Sequence, residues 1–344
     1  MQPEVRAAPL PPELAGVSTA GPSGLRLLAG GDSLTSVDAA TGARTSVASV
    51  HVPPGSAVVQ LEPVHGGTLV VVTSTQSDVA VGWVYLERPG GPAVKLLRTD
   101  EVVAGARLGR FWGFIYAREQ GGKATLVEVT TAGRVLSRRL VPGGWHLEAD
   151  TGNGLLVATY RQEGPGELSI VDPVSLRVRR SIGQVTYVAA ATSRVAAWAI
   201  CSGVCILVVG DVRGGQQPRT FQLATNAGMG AAAFSPDERR LAIAYNGRHG
   251  FDRRGTPGFV DVLDLSTGHP TRVPGVGTPE KQAAQLCWSK DGRWLGIAVR
   301  WPEQGYQRLG VWPASGGRVV ELPGRLPARD SSALLAMTPE NAAS

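Results

Sequence analysis

One fifteen-residue segment occurs twice in the chain, and this repetition constrains the fold more than any other feature. AAAFSPDERRLAIAY (231–245) returns 54 residues later as QLCWSKDGRWLGIAV (285–299). Serine, aspartate, arginine, leucine, isoleucine and alanine coincide at fixed offsets, starting with Ser235 and Ser289. A segment that recurs at this spacing predicts an architecture of repeated structural units.

Paired β-rich runs joined by a turn recur along the rest of the chain. Seven such hairpins begin at Leu34, Val81, Ala124, Leu168, Leu207, Phe259 and Leu309. A further pair of apolar runs lies between successive hairpins, so that each unit has four strands. Four strands in a period of about 45 residues are typical of a β-propeller. We therefore predict an all-β, seven-bladed antiparallel propeller.

Bulky and small side chains alternate in the first copy of the repeat. Leu241, Ile243 and Tyr245 alternate with Ala242 and Ala244. A strand with one wet face would instead alternate apolar with charged residues. The pattern predicts a strand buried on both faces, as in a blade packed between two neighbours.

The first unit lacks an innermost strand. Its recognisable strands begin at Leu25, and SALLAMT (332–338), after the last full unit, is a suitable donor. We therefore predict that the C-terminal strand completes blade one and closes the ring. The predicted domains are a flexible N-terminal tether (1–23), the propeller (24–338) and a C-terminal tail (339–344).

The repeat resembles those of the TolB-like and WD-like β-propeller families. The residues that carry the resemblance are Ser235, Pro236, Asp237, Arg240, Leu241 and Ala242, then Ser289, Asp291, Gly292, Arg293 and Leu295. The Trp-Asp signature of WD repeats is missing, since Trp312 is followed by Pro313. The resemblance implies a propeller but no activity, because these families serve mainly as binding platforms and as accessory domains of peptidases.

The charge distribution argues against several classes of function. The net charge is +6, but the arginines are dispersed and no run of five like charges occurs, which disfavours nucleic-acid binding.

The first 24 residues carry charges and prolines where a signal peptide needs an apolar core. They are what would remain after removal of an export signal or membrane anchor. The apolar segment 185–210 is interrupted by Arg194, so we predict no spanning helix.

No reactive motif stands out in the chain. A Gly-Asp-Ser-Leu string at 31–34 offers Ser33 as an esterase nucleophile, but that mechanism also needs an Asp-x-x-His, which the chain lacks. We interpret Asp237 and Asp291 as turn residues whose carboxylates accept backbone N–H bonds. Glycine-rich nucleotide motifs are absent, so we predict no catalytic residues and no cofactor.

The cysteine spacing predicts a disulfide. Cys201 and Cys205 flank a three-residue turn between strands, which brings their Cβ atoms within bridging range. Zinc is the competing interpretation, but the five histidines lie in separate units without ligand spacing, so we predict no metal. A disulfide indicates an oxidising compartment. Cys287 is expected to be a buried thiol.

Two irregular loops give the best candidate binding site. Both connect the second and third strands of adjacent blades, at 246–258 and 300–308, and so share one rim. The predicted basic and aromatic rim patch contains Arg248, His249, Phe251, Arg253, Arg254, Arg300, Trp301 and Tyr306.

The sequence thus favours a non-enzymatic interaction platform outside the bacterial cytoplasm, either secreted or membrane-anchored. Its expected partner is a protein or an anionic envelope ligand, with no nucleic acid and with membrane contact only through a removed N-terminal anchor. We expect a monomer. The alternative is a propeller enzyme, a hydrolase or lyase with its active site at the mouth of the central channel. Its candidate carboxylates are Glu148, Asp150, Asp237 and Asp291.

Overall fold

A computed structural model gives the architecture of the protein. It describes residues 21–64, 66–74, 81–99, 102–108, 113–118, 123–161, 164–202, 204–222, 229–245, 258–276, 285–301, 306–327 and 334–339. Within these ranges the strands form seven antiparallel sheets, which we call blades 1 to 7 in chain order.

The first four blades contain β1 to β15 together with the last strand, β29. Blade 1 contains β1 (Leu25–Gly30), β2 (Leu34–Asp38), β3 (Arg44–Ser46) and β29 (Leu334–Pro339). Blade 2 contains β4 (Ser56–Val64), β5 (Gly67–Ser74), β6 (Gly82–Glu87) and β7 (Val94–Thr99). Blade 3 contains β8 (Val102–Leu108), β9 (Gly113–Arg118), β10 (Lys123–Val129) and β11 (Val135–Pro142). Blade 4 contains β12 (Trp145–Asp150), β13 (Leu155–Thr159), β14 (Gly166–Val171) and β15 (Val178–Val185).

The remaining blades follow the same plan. Blade 5 contains β16 (Tyr187–Ala191), β17 (Val195–Ser202), β18 (Val204–Asp211) and β19 (Arg219–Gln222). Blade 6 contains β20 (Met229–Phe234), β21 (Arg240–Tyr245), β22 (Phe259–Asp264) and β23 (Pro270–Arg272). Blade 7 contains β24 (Gln285–Trp288), β25 (Trp294–Trp301), β26 (Tyr306–Pro313) and β27 (Val320–Glu321), and β28 (Leu326–Pro327) also pairs with β26.

One strand from each blade forms a closed inner ring. In order around the ring, β29, β4, β8, β12, β16, β20 and β24 each contact the next, and β24 contacts β29. Each of these strands lies at one end of its sheet, and the others follow outward. Radial sheets around a central channel are the defining arrangement of a propeller, so the predicted antiparallel propeller is confirmed.

The predicted ring closure is also confirmed. Strand β29 pairs antiparallel with β1, with Met337 opposite Leu27 and Pro339 opposite Leu25. The strand runs to Pro339, one residue beyond the predicted end of the propeller. Most of the predicted tether (1–20) and tail (340–344) lies outside the described residues.

Strand β21 shows why bulky and small side chains alternate. Leu241 and Ile243 pack with Ala197 and Leu207 of blade 5. Ala242, on the opposite face, packs in a second cluster that includes Trp288 of blade 7. Both faces are therefore buried, each against a different neighbouring blade.

The repeated serine and aspartate residues stabilise the turn before the second strand. In blade 6 the Ser235 hydroxyl donates to Asp237 Oδ1 at 2.6 Å, and the Arg240 N–H donates to Ser235 Oγ at 3.0 Å. Blade 7 repeats this network, with Ser289 donating to Asp291 Oδ1 at 2.6 Å. The Ser235 hydrogen bond is the main reason why the pKa of Asp237 is lowered. Both aspartates are therefore turn residues, as the sequence predicts.

The described part of the chain contains no helical segment with the length and hydropathy needed to cross a bilayer.

Candidate functional site

The innermost strands of five consecutive blades share a local irregularity. In blades 2 to 6 the register between the first and second strands shifts, as β-bulges do. The shift spans Val58/Gln60, Val103/Gly105, Leu147/Ala149, Val188/Ala190 and Met229/Ala232. Only in blade 4 is the residue inside the bulge ionisable, and this residue is Glu148. Bulges are frequent beside active sites, where they redirect a side chain.

Glu148 belongs to a hydrogen-bond network that joins two blades. The Tyr160 hydroxyl, just after β13, donates to Glu148 Oε1 at 3.0 Å. The same hydroxyl accepts a hydrogen bond from the backbone N–H of Val188, in β16 of blade 5, at 3.2 Å. Glu148 is half-buried on a strand of the inner ring. The network holds a carboxylate in a fixed position between blades 4 and 5.

One aromatic residue extends this network. The ring of His146, an exposed residue of β12, packs against the Tyr160 ring with centroids 4.6 Å apart. We call Glu148, Tyr160 and His146 the inner-ring cluster. It combines a carboxylate, an imidazole and a phenol, which are groups that general acid–base catalysis uses.

The four candidate carboxylates separate into two pairs. Asp150 lies on β12 with Glu148, and partial burial raises its pKa although the Gly152 N–H donates to it at 2.8 Å. Asp237 and Asp291 instead lie in turns. Partial burial opposes ionisation of Asp291, but hydrogen bonds from Ser289 and Arg293 lower its pKa to about 2. The structure thus places Glu148 and Asp150 on the same inner strand and assigns the other two to turn formation.

Glu148 is a candidate from the sequence, but its partners are not evident there. Tyr160 reaches Glu148 through the pairing of β12 with β13, and Val188 reaches Tyr160 through the packing of blade 4 on blade 5. No linear spacing signals this arrangement. The bulge at Glu148 is equally invisible in the sequence, since it is defined by the register with β13.

The structure describes only part of the predicted rim patch. Arg248, His249, Phe251, Arg253 and Arg254 lie outside the described residues. Arg300 and Trp301 are strand residues of β25, and Trp301 pairs with Tyr306. The loop is therefore shorter than the predicted range 300–308, because β25 and β26 stay paired as far as Trp301 and Tyr306. The patch as a binding site remains a prediction.

The remaining candidates show no reactive arrangement. Cys201 and Cys205 form a disulfide across the β17–β18 hairpin, and Cys287 is a buried free thiol. Among the described residues there is no group of three or more metal-ligating side chains. Ser33 lies exposed in the turn between β1 and β2.

Comparison with known proteins relates the chain to propellers of solved structure. No protein-family model and no curated protein matches it. A proposed 6-phosphogluconolactonase from Bacteroides fragilis is similar with a TM-score of 0.62 at 14% identity, covering 91% of this chain and 98% of that one. The periplasmic gluconolactonase of Pseudomonas aeruginosa gives 0.61 at 15% identity, with the same coverage. The β-propeller domain of the trilobed protease from Pyrococcus furiosus gives 0.57 at 12% identity, covering 90% and 98%.

These likenesses show the fold, and they change two predictions. They support a propeller but not the TolB-like or WD-like family. The predicted non-enzymatic platform is wrong on this comparison, because the similar structures include proteins named as lactonases.

Proposed function

We propose that the protein is a hydrolase whose active site lies at the inner ring, with a lactone of a sugar acid as substrate. The observation that carries the proposal is the bulged Glu148, which Tyr160 holds on the innermost strand of blade 4. The choice of a lactone rests on the gluconolactonases of similar fold. A lactone substrate also suits this site, because one positioned carboxylate can act as the general base in lactone hydrolysis.

Lactone hydrolysis requires a water molecule to attack the ring carbonyl carbon. In our proposal Glu148 accepts a proton from this water as the new C–O bond forms. The ring C–O bond then breaks, and protonated Glu148 gives its proton to the ring oxygen, which yields the open hydroxy acid and regenerates the carboxylate. General base catalysis by one such group contributes about 10²- to 10⁴-fold to the rate. Tyr160 acts as a positioning residue that holds the carboxylate.

A direct assay tests the proposal. Acid release from glucono-δ-lactone and from 6-phosphogluconolactone is measured in a pH-stat with the purified full chain, and compared with spontaneous hydrolysis. Glu148→Gln is expected to lower kcat by about 10²-fold or more. Glu167→Gln is the matched control, since Glu167 is an exposed carboxylate of β14 in the same blade. Absence of hydrolysis above the spontaneous rate, or full activity of Glu148→Gln, would contradict the proposal.

We also propose that the protein works outside the cytoplasm. The Cys201–Cys205 disulfide supports this location, since disulfides persist in oxidising compartments. The periplasmic gluconolactonase of similar fold is consistent with it. Alkylation of free thiols in intact cells, followed by mass spectrometry of the Cys201–Cys205 peptide, tests the location. Two alkylated cysteines in this peptide would contradict it.

A further inference from the structure

A cleft of about 810 Å³ lies between blades 1 and 2, remote in the fold from Glu148. One wall is formed by the β2–β3 turn and the residues after β3, including Thr41, Ser46 and Ser49. The other wall is the turn between β6 and β7, which includes Arg88 and Gly90. Its volume is within the range of small-molecule sites, about 300–1,000 Å³. The proposed lactonase activity does not use this cleft.

A buried carboxylate with one unpaired oxygen lines the cleft. The side chain of Glu87 is 2% exposed, and its Oε1 accepts a hydrogen bond from Arg26 Nη2 at 2.6 Å. No hydrogen bond from the described residues reaches Oε2. Buried side-chain polar atoms in folded proteins almost always have a partner, so Glu87 Oε2 requires a donor from elsewhere.

A second unpaired atom lies next to this carboxylate. Thr68 is directly opposite Glu87 in the β5–β6 ladder, so the two side chains are on the same face of blade 2. Thr68 is fully buried, and its Oγ1 has no hydrogen bond within the described residues. Neither atom has a hydrogen-bond partner among the described residues, and of the two side chains only Glu87 lines the cleft.

The composition of the cleft favours a neutral ligand. Two arginines, Arg26 and Arg88, are balanced by two carboxylates, Asp38 and Glu87, so the cleft offers no net attraction to an anion or to a cation. A hydroxyl group both donates to a carboxylate and accepts from a guanidinium. Small residues, such as Ala48 and Gly90, leave room between the walls. We propose that this cleft binds a neutral, polyhydroxylated ligand of monosaccharide size, either free or at the end of an oligosaccharide.

Calorimetric titration of the purified full chain tests the ligand class. The neutral probes are D-glucose, myo-inositol and maltotriose, and the charged comparators are gluconate and putrescine. We expect at least one neutral probe to bind with a Kd of about 1 mM or tighter, and the charged probes to bind about tenfold more weakly. Tighter binding of maltotriose than of glucose would identify the end of an oligosaccharide as the ligand. Tighter binding of glucose would identify a free sugar. Stronger binding of a charged probe, or no heat from any neutral probe, would overturn the proposal.

Two variants locate the binding in the cleft. Ala48→Trp places a large side chain on an exposed part of the wall, and we expect it to weaken binding of the neutral probe about tenfold or more. Ala132→Trp, in the exposed β10–β11 turn of blade 3, is the matched control and should bind normally. Glu87→Gln should also weaken binding, but this substitution also removes the ion pair with Arg26. If Glu87→Gln does not fold, Ala48→Trp alone decides. Unchanged affinity in Ala48→Trp would exclude the cleft.

The same variants separate this site from the proposed active site. Ala48→Trp should leave lactone hydrolysis unchanged, because no residue of the inner-ring strands lines the cleft. Glu148→Gln should leave polyol binding unchanged. A protein that hydrolyses no lactone but binds the polyol in this pattern would refute only the proposed function. Loss of both activities in Ala48→Trp would overturn the assignment of a separate site.

Discussion

The Tyr160 hydroxyl accepts a hydrogen bond from the backbone N–H of Val188 at 3.2 Å, so that a side chain of blade 4 is fixed by the main chain of blade 5. The same hydroxyl donates to Glu148. The position of the proposed catalytic carboxylate therefore depends on how two blades pack, and not on blade 4 alone.

Removing the Tyr160 hydroxyl should impair lactone hydrolysis more than it impairs folding. In Tyr160→Phe we expect kcat to fall about tenfold, since hydrogen bonds to charged groups are worth about 1.5–3 kcal/mol, while KM stays unchanged. Tyr85→Phe is the control, because it removes the hydrogen bond from the Tyr85 hydroxyl of blade 2 to the carbonyl of His51, in the connection between blades 1 and 2. Steady-state kinetics and thermal unfolding of both variants check this. Equal effects of the two substitutions on kcat would show that Tyr160 has only a structural role.

Ring closure should depend on the packing of Met337. This residue is 4% exposed in a cluster with Leu25 and Leu27 of β1. Met337→Ala is expected to lower the free energy of unfolding by about 2–5 kcal/mol, measured by urea denaturation. Deletion of 331–344 should destabilise the fold further, because β1 then keeps β2 but loses β29 from its inner edge. Deletion of 340–344 alone serves as the control. If the protein without 331–344 unfolds at the same temperature as wild type, the predicted ring closure is contradicted.

The turn aspartates predict a loss of stability in acid. The pKa of Asp291 is lowered from 3.8 to about 2 in the folded protein. Its contribution is therefore present above pH 3.8 and is lost as the pH falls through about 2. Asp291→Asn should lower the Tm at pH 7, and the difference from wild type should shrink toward pH 2. Asp237→Asn should show the same trend in blade 6, since the pKa of Asp237 is also lowered. A difference in Tm that is constant from pH 7 to pH 2 would refute this role.

Thiol chemistry should distinguish the three cysteines. Denatured, non-reduced protein is expected to give one free thiol and reduced protein three. In the native protein burial raises the pKa of Cys287, so this thiol should react slowly. Replacing Cys201 and Cys205 by serine should cost about 2 kcal/mol, because the disulfide closes a short loop. Cys287→Ser retains the disulfide and serves as the control. Three thiols without reductant would contradict the pairing.

The fold could be predicted because its signals are local and repeated. The hairpins are marked by turn residues, and the alternation of Leu241 and Ile243 with alanines reports burial on both faces. Even the closure by β29 could be inferred, because the first unit lacks a strand and the end of the chain supplies one.

The candidate site could be predicted only in part because its contacts are not local. Glu148 was a candidate by residue type, but its bulge and its bond with Tyr160 arise from strand register. The partner N–H of Val188 is a main-chain group, which no residue type reveals. The loop at 300–308 was predicted too long, because strand pairing continues to Trp301 and Tyr306 despite their loop-like sequence.

The pairing of β1 with β29 also sets an order of events during synthesis. Residues 25–30 are made early, but the strand that covers their edge is completed only with residues 334–339. Until then the nascent chain exposes an unpaired strand edge, the kind of surface that promotes aggregation. The ring can close only after residues 334–339 have left the ribosome, so the inner edge of β1 stays unpaired until the strands of all seven blades have been made.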